Sequence, residues 1–316
     1  DQRGRFLRAS AAIAIDGGLM ETDVDPSNFV NFKFRHNKEF VRHAAKAKTK
    51  KCVVCNDLFQ NLDKYLKKIL KSLKGMEWST FLIGTVPSHK LLEKEEEIWE
   101  IIGIEHCEPI RAEINRELGK ALEKSTGKKA NLKKPDVSII LDLEKNKINL
   151  TVSPLFVFGY YNKLKRGFPQ CKWGTPKKYK TSVEQIIGKP ILRAASGADH
   201  KFHGAGREDI DAICLGKRAF VLEITKPKKR KLNLKKLAAQ INSGKKVQVF
   251  SLSISDMDTV RKIKAARPEK TYRALVKTSK KIKKSDLAEL RKLRGIIKQR
   301  TPKRVSHRRA DLMRKR

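Results

Sequence analysis

The residue types that could do chemistry cluster in one stretch, Gly204-Ala205-Gly206-Arg207-Glu208-Asp209-Ile210-Asp211. A glycine-rich turn delivers Arg-x-Asp into a strand-like run at 210–215. A carboxylate at a strand start, beside a guanidinium, can be held ionised and fixed in place. Arg207 and Asp209 would serve equally as a surface ion pair at a turn. Asp211 lies two residues on and shares a face with Asp209 on a regular strand, so it is the second candidate nucleophile.

A second chemical pattern is Cys52-Val53-Val54-Cys55. Two cysteines at this spacing can place both thiolates on one metal, which is half of a tetrahedral zinc site. A redox pair or two buried cysteines fit the spacing as well. Cys107, Cys171 and Cys214 are scattered and make no second pair. Five cysteines in a chain of 316 residues do not read as a disulfide framework.

Charge narrows the function classes. The formal net charge is +39. Residues 201–316 hold 36 Lys and Arg against 10 Asp and Glu, a net +26, and residues 1–200 carry the remaining +13. A neutral or acidic small partner does not account for such an excess. A polyanion does, because Lys and Arg displace the counterions condensed on phosphates. No apolar run approaches the roughly 20 residues that span a bilayer, and no signal peptide is visible. The expected compartment is cytoplasmic, without membrane attachment.

The elements that must position these residues follow from periodicity. Leu62, Tyr65, Leu66, Ile69, Leu70 and Leu73 recur at helical spacing over 61–74, and Gly75 suits the C-terminal cap. A strand is predicted at 78–86, helices at 89–102 and 112–124, and strands at 137–143 and 148–161 joined by a hairpin turn at 144–147. Together these make an α+β unit. The segment 163–181 has two glycines, two prolines and seven Lys or Arg residues, with Phe168, Trp173 and Tyr179 interleaved. Its composition places a domain boundary near residue 162, giving expected domains 1–162 and 163–316.

Beyond that boundary, Ser182 caps a helix at 183–187, ending at Gly188-Lys189-Pro190. A β-hairpin is predicted with Gly216-Lys217-Arg218 as its turn and 219–224 as its second strand. A helix at 234–241, a strand at 246–254, a helix at 258–266, a strand at 271–276 and a helix at 286–293 follow. Near the N-terminus, 11–15 reads as a small helix. Phe32, Phe34 and Phe40 alternate with basic residues, as a stacking surface or an amphipathic element would.

The Gly-Arg-x-Asp motif resembles the active-site motif of pseudouridine synthases, with Glu208 where Thr is typical of one branch. One family is matched by longer blocks. They are Gly206-Arg207-Glu208-Asp209-Ile210-Asp211, Leu215-Gly216-Lys217-Arg218-Ala219-Phe220-Val221, Lys165-Arg166-Gly167-Phe168-Pro169-Gln170 with Trp173, Pro227-Lys228-Lys229-Arg230 and Thr271-Tyr272-Arg273-Ala274-Leu275-Val276. The tail from Arg300-Thr301-Pro302 to His307-Arg308-Arg309-Ala310-Asp311-Leu312 matches too. The chain is thus similar to the archaeal and eukaryotic tRNA pseudouridine-54/55 synthases.

That resemblance implies a fold, a reaction and a set of roles. The fold would be α+β, with a THUMP-containing N-terminal region ahead of a catalytic domain whose mixed, mainly antiparallel sheet is flanked by helices. The reaction would isomerise flipped-out T-loop uridine of tRNA to pseudouridine with no catalytic cofactor. Asp209 would be the catalytic residue, Arg207 would support the flipped geometry, and Tyr272 would stack on the uracil. Lys165, Arg166, Trp173, Lys228, Lys229, Arg230, Arg300, Arg304, Arg308 and Arg309 would contact RNA. Cys52 and Cys55 would match one pair of a four-cysteine structural zinc site. The resemblance implies further strands beyond residue 316, so the catalytic domain is expected to be truncated here. No protein partner is implied, and a monomer is expected. The competing reading is a non-catalytic tRNA- or rRNA-binding or assembly protein using the same basic surface.

Overall fold

The computed structural model describes residues 52, 54–102, 108–172, 179–266, 271–292, 298–300 and 313–315. Expectations for residues 11–15, Phe32, Phe34, Phe40, Cys107, Trp173, Arg304, Arg308 and Arg309 lie outside the described residues. The chain forms two compact units, Asp1–Arg267 and Pro268–Arg316. Among the described residues, no helix is long and apolar enough to cross a membrane.

The first unit contains two sheets. In the first, α1 (Leu62–Ser72), α2 (His89–Ile102) and α3 (Ile110–Thr126) accompany β1 (Thr80–Val86), β2 (Lys129–Ala130), β3 (Val137–Asp142) and β4 (Lys147–Val152). The strand order is β2-β1-β3-β4. β1 runs parallel to β2 and β3, whereas β3 and β4 form an antiparallel hairpin, so the sheet is mixed. The core follows from spacing. Ile110, Ile114, Leu118 and Leu122 recur every fourth residue of α3 and are all buried against alternate residues of β1 and β3, including Phe81, Ile83, Val137, Ile139 and Leu141. Gly127 then ends α3 in a left-handed conformation (φ 69°), its amide donating to the Glu123 carbonyl.

The second sheet is built from β5 (Leu155–Lys163), β6 (Asp199–Gly204), β7 (Cys214–Thr225) and β8 (Val247–Ser255) in the order β6-β7-β5-β8, all antiparallel. Helices α4 (Val183–Ala195) and α5 (Leu234–Asn242) pack one face, over Leu155, Val157, Tyr161, Phe220, Leu222 and Ile224. Helix α6 (Met257–Ala265) contributes Val260 and Ile263 to a smaller core with Phe156 and Val221. Two mixed or antiparallel sheets with flanking helices are the α+β fold that the sequence implied.

Several expected elements take a different form. The strand expected at 148–161 is two strands in two different sheets, because Ser153-Pro154 interrupts it and Pro154 has no N–H for a ladder. β5, which leads up to the expected boundary near residue 162, lies inside the second sheet. The hairpin at Gly216 does not form: β7 continues through it, paired with β5 from Leu155↔Ile224 to Tyr161↔Arg218 and, past a bulge, again at Lys163↔Cys214. The helix expected to end at Ile187 continues to Ala195 through Pro190.

In the second unit, Thr271–Val276 is irregular and not a strand. α7 (Lys284–Lys292) follows, and β9 (Lys298–Gln299) pairs antiparallel with β10 (Arg314–Lys315).

Candidate active site

The Arg-x-Asp stretch is a loop that joins β6 to β7, two neighbouring strands of the second sheet. It leaves the sheet at Gly204, which pairs with Phe220, and the Ala205 amide donates to the Ala219 carbonyl at 3.0 Å. Gly206 takes φ 77°, a left-handed conformation that glycine adopts without steric cost. Gly204 is constrained by packing: a Cβ there would stand 2.8 Å from Gln170 Nε2. The loop residues then alternate. Arg207 and Asp209 are exposed, whereas the Glu208 side chain between them is only 3% exposed.

Glu208 is the anchor. Its carboxylate accepts from the Tyr161 hydroxyl (2.8 Å to Oε2) and from Gln170 Nε2 (3.0 Å), and Arg218 Nη1 stands 3.4 Å from Oε2. Gln170 Nε2 also lies 3.0 Å from the Gly206 carbonyl, tying the loop at a second point. Burial, and then the Glu208 charge, push the Tyr161 hydroxyl well above the ordinary tyrosine value. The buried carboxylate is thus served by two hydrogen-bond donors and, at ion-pair distance, by a guanidinium.

Below Asp209 lies Lys163, fully buried at the end of β5. Its ammonium donates to the main-chain carbonyls of Asp209 (3.0 Å) and Ile210 (2.8 Å) and sits 5.0 Å from the centre of the Phe168 ring. Burial lowers its pKa, opposed by the carboxylates of Glu208, Asp211 and Asp209. The Gly167 amide donates to the Ile210 carbonyl at 3.0 Å, so the basic segment after β5 is stitched to the same loop. Asp211 lies in a turn, not on a strand, so the face-sharing argued for it does not arise.

The other expected residues fall in three places. Lys165 and Arg166 line a cavity of about 380 Å³ with Gly167, Phe168, Tyr179, Lys180, Thr181 and Lys246. The side chains of Lys228 and Lys229 are exposed, but the Arg230 guanidinium is largely enclosed, with 15% of the side chain exposed, and pairs with Asp136 Oδ1 at 3.3 Å. Tyr272, 79% exposed, and Arg300, also exposed, belong to the second unit.

At Cys52 and Cys55, the Cys55 amide donates to Cys52 Sγ at 3.4 Å. A hydrogen bond between the two thiols holds Cys52 at about 5 and, with burial, pushes Cys55 up. Two adjacent thiols fit half of a tetrahedral metal site. Among the described residues, no group of three His, Cys, Asp or Glu side chains could hold a metal ion. The two remaining described cysteines, Cys171 and Cys214, are free; burial raises Cys171 to about 11.

Sequence reasoning singled out Arg207 and Asp209 but missed the scaffold beneath them: Tyr161, Lys163, Gln170, Glu208 and Arg218. A signal was present. Tyr161 and Lys163 are polar-tipped residues two apart, in step with the apolar face of Leu155 and Val157, and a lysine aligned with a buried strand face needs partners.

A mixed THUMP-type sheet joined to an antiparallel catalytic-type sheet, with Arg-x-Asp on an anchored loop, defines the class of THUMP-containing pseudouridine synthases. The family model described as Pus10 THUMP domain, archaeal, matches residues 65–142, and that described as Pus10, C-terminal, matches residues 156–316. The chain belongs to the tRNA pseudouridine synthase Pus10 family. It is 41% identical over 276 residues to the tRNA pseudouridine synthase Pus10 of Methanothrix thermoacetophila, covering 81% of this chain and 61% of that protein. The Archaeoglobus fulgidus protein of the same name is 39% identical over 280 residues, covering 84% of this chain and 77% of that protein. The Methanocaldococcus jannaschii protein is 37% identical over 344 residues, covering 99% and 74%. The chain spans about three fifths of the length of the Methanothrix thermoacetophila relative (61%) and of the Thermofilum pendens protein of the same name (62%).

Proposed function

We propose that this chain isomerises uridine to pseudouridine in the T loop of tRNA, with Asp209 as the catalytic residue. The observation that carries the reading is the loop geometry. Glu208 and Lys163 hold the main chain from inside while Arg207 and Asp209 face outward. An exposed carboxylate on a main chain held from below can meet a nucleotide extruded from its stack. In the reaction the bond between N1 and the ribose C1′ breaks. The uracil turns while held, C5 bonds to C1′ as the bond to Asp209 breaks, the C5 proton leaves to solvent and N1 takes up a proton in its place. Asp209 supplies the attacking carboxylate, and no cofactor enters the balance. Arg207, beside it on the exposed side of the loop, would occupy the space left by the base. Tyr272 would stack on the uracil ring.

Lys165 and Arg166, with Lys180 and Lys246 around the cavity next to the loop, would hold backbone phosphates of the same RNA. Trp173, Lys228, Lys229, Arg300, Arg304, Arg308 and Arg309 are the further RNA contacts proposed. Cys52 and Cys55 would give two thiolates to a structural zinc ion, whose chemistry is to cross-link the chain. The first sheet, in the stretch matched by the THUMP-domain model, would grip the tRNA, and the division between it and the catalytic part would fall at Ser153-Pro154, where the chain passes from one sheet to the other.

The test is tritium release from tRNA carrying C5-labelled uridine in the T loop. Asp209→Ala should abolish release while tRNA affinity stays within about twofold, because the phosphate contacts that dominate affinity are untouched. Equal release by both proteins would remove Asp209 from the reaction. Tight tRNA binding without release by either protein would favour the reading of a non-catalytic RNA-binding protein.

A further inference from the structure

The basic run between β7 and α5, Lys226-Pro227-Lys228-Lys229-Arg230-Lys231, has the composition of a phosphate-facing loop, yet its backbone is committed inside the first unit. Pro227 is buried. The amides of Lys228 and Lys229 donate to the Ala195 carbonyl at the end of α4, at 3.0 and 2.9 Å. Glu77, in the loop before β1, closes on the run from the first sheet. Its amide donates to the Lys228 carbonyl at 2.8 Å, and its Oε2 accepts from the amides of Arg230 (2.8 Å) and Lys231 (3.0 Å).

The Arg230 side chain then enters the first sheet. Nη1 pairs with Asp136 Oδ1 at 3.3 Å, and Nη2 donates to the carbonyls of Asp136 (3.2 Å) and Ser153. Asp136 is itself tied down, its Oδ2 accepting from the amides of Ser79 (2.8 Å) and Thr80 (3.2 Å). One guanidinium thus reaches the starts of β1 and β3 and the exit of β4. Lys134 adds a second crossing, 3.1 Å from Asp258 and 3.7 Å from Asp256 at the start of α6.

An enclosed ion pair contributes little net stability, and its best-attested use is to specify one arrangement over others. What it specifies here is set by β7. This strand begins at Cys214, just after the Asp209 loop, and ends at Thr225, just before the run that Glu77 and Arg230 clasp. Twelve residues of strand span roughly 40 Å. The clasp therefore joins the first sheet to the far end of the strand that carries the candidate active site.

We infer that the clasp of Glu77, Asp136 and Arg230 fixes the separation between the RNA-gripping sheet and Asp209, and so selects which uridine of a bound tRNA is presented. The three are positioning residues, and the inference rests on the function proposed above. Two RNA-contacting units at a set separation read a set length of helix.

The test compares the full chain on two transcripts, a T-loop tRNA and the same tRNA with its acceptor stem longer by one base pair. The wild type should prefer the normal tRNA in kcat/KM by on the order of a hundredfold, the usual effect of misplacing a reacting group by about an ångström or more. Glu77→Ala removes an exposed side chain and opens no core; with it, and with Arg230→Met, the preference should shrink about tenfold. Pseudouridine should also appear at neighbouring positions. An unchanged preference in folded Glu77→Ala overturns the inference, as does a wild type that treats both tRNAs alike. If Arg230→Met fails to fold, Glu77→Ala decides. A wild type that forms no pseudouridine on either tRNA counts against the proposed function instead. The ratio of Kd values for the two tRNAs then still tests the clasp.

Discussion

Glu208 sits between two exposed residues and points the other way, and the whole candidate site depends on that reversal. Its position is taken by threonine in the branch of synthases that the motif resembles. A carboxylate gives the loop a charged anchor, which requires the Tyr161 hydroxyl, Gln170 and Arg218 around it. Tyr161 is the informative member. Its folded pKa is raised by burial and by Glu208, whereas an unfolded tyrosine ionises near pH ~10. The sign follows. A group whose folded pKa is raised contributes fully below the unfolded pKa and loses that contribution as pH rises above it. Tyr161→Phe should cost about 1–3 kcal/mol at neutral pH, the usual cost of stripping a partner from a buried polar group. The gap between wild type and variant in urea titrations should narrow as pH rises past about 10, since only the wild-type unfolded chain gains by ionising Tyr161. A gap that stays constant to about pH 11 would show that Tyr161 is not held neutral by the fold.

At the scale of elements, the helices and strands with clean periodicity were legible. α1, α3 and α5 bury residues at helical spacing, and β3 and β8 alternate over their first halves. The misreadings came where tertiary contacts overrode local signals. Gly188-Lys189-Pro190 reads as a helix stop, because an interior proline costs about 3 kcal/mol. α4 nevertheless continues, since Ile191 and Ala195 are fully buried on the far side and Leu192 is partly covered. Burying one isoleucine is worth about 1.5–3 kcal/mol, enough with its neighbours to offset the proline. β6 went unseen because the residue it buries is His200, not an aliphatic one. His200 also explains Gly188: a Cβ there would stand 2.3 Å from the imidazole. Gly188→Ala should therefore destabilise by about 1–3 kcal/mol, although alanine is the better helix former. Chemical denaturation measures it, and a neutral or stabilising result would mean that His200 moves aside freely. Of the candidate site, the outward-facing Arg207 and Asp209 were legible in the motif. The residues that hold them come from β5, the segment after it and β7, and only pairing across the sheet brings these together.

Over the whole molecule, a net charge of +39 suits a polyanion but does not say where one would bind. The fold divides the basic residues into groups with different work. Arg230 is spent on Asp136 and Ser153, and Lys163 on the carbonyls of the Asp209 loop, so neither is available to phosphate in this arrangement. Lys165 and Arg166 face a cavity beside that loop, with Lys180 and Lys246 across from them. Lys90 and Lys94 lie instead on α2, among Glu93, Glu95, Glu96 and Glu97, where acidic neighbours cancel their field. Counterion release turns this division into a measurable slope. Each phosphate neutralised contributes roughly 0.7–0.9 to the slope of log K against log salt. The double variant Lys165→Ala with Arg166→Ala should flatten the tRNA-binding slope by roughly 1.4–1.8, by filter binding over about 50–200 mM salt. Lys90→Ala with Lys94→Ala removes the same formal charge and should leave the slope nearly unchanged. Equal slopes for the two double variants would mean that tRNA senses only the summed charge, and the cavity beside the Asp209 loop would lose its claim to the phosphate backbone.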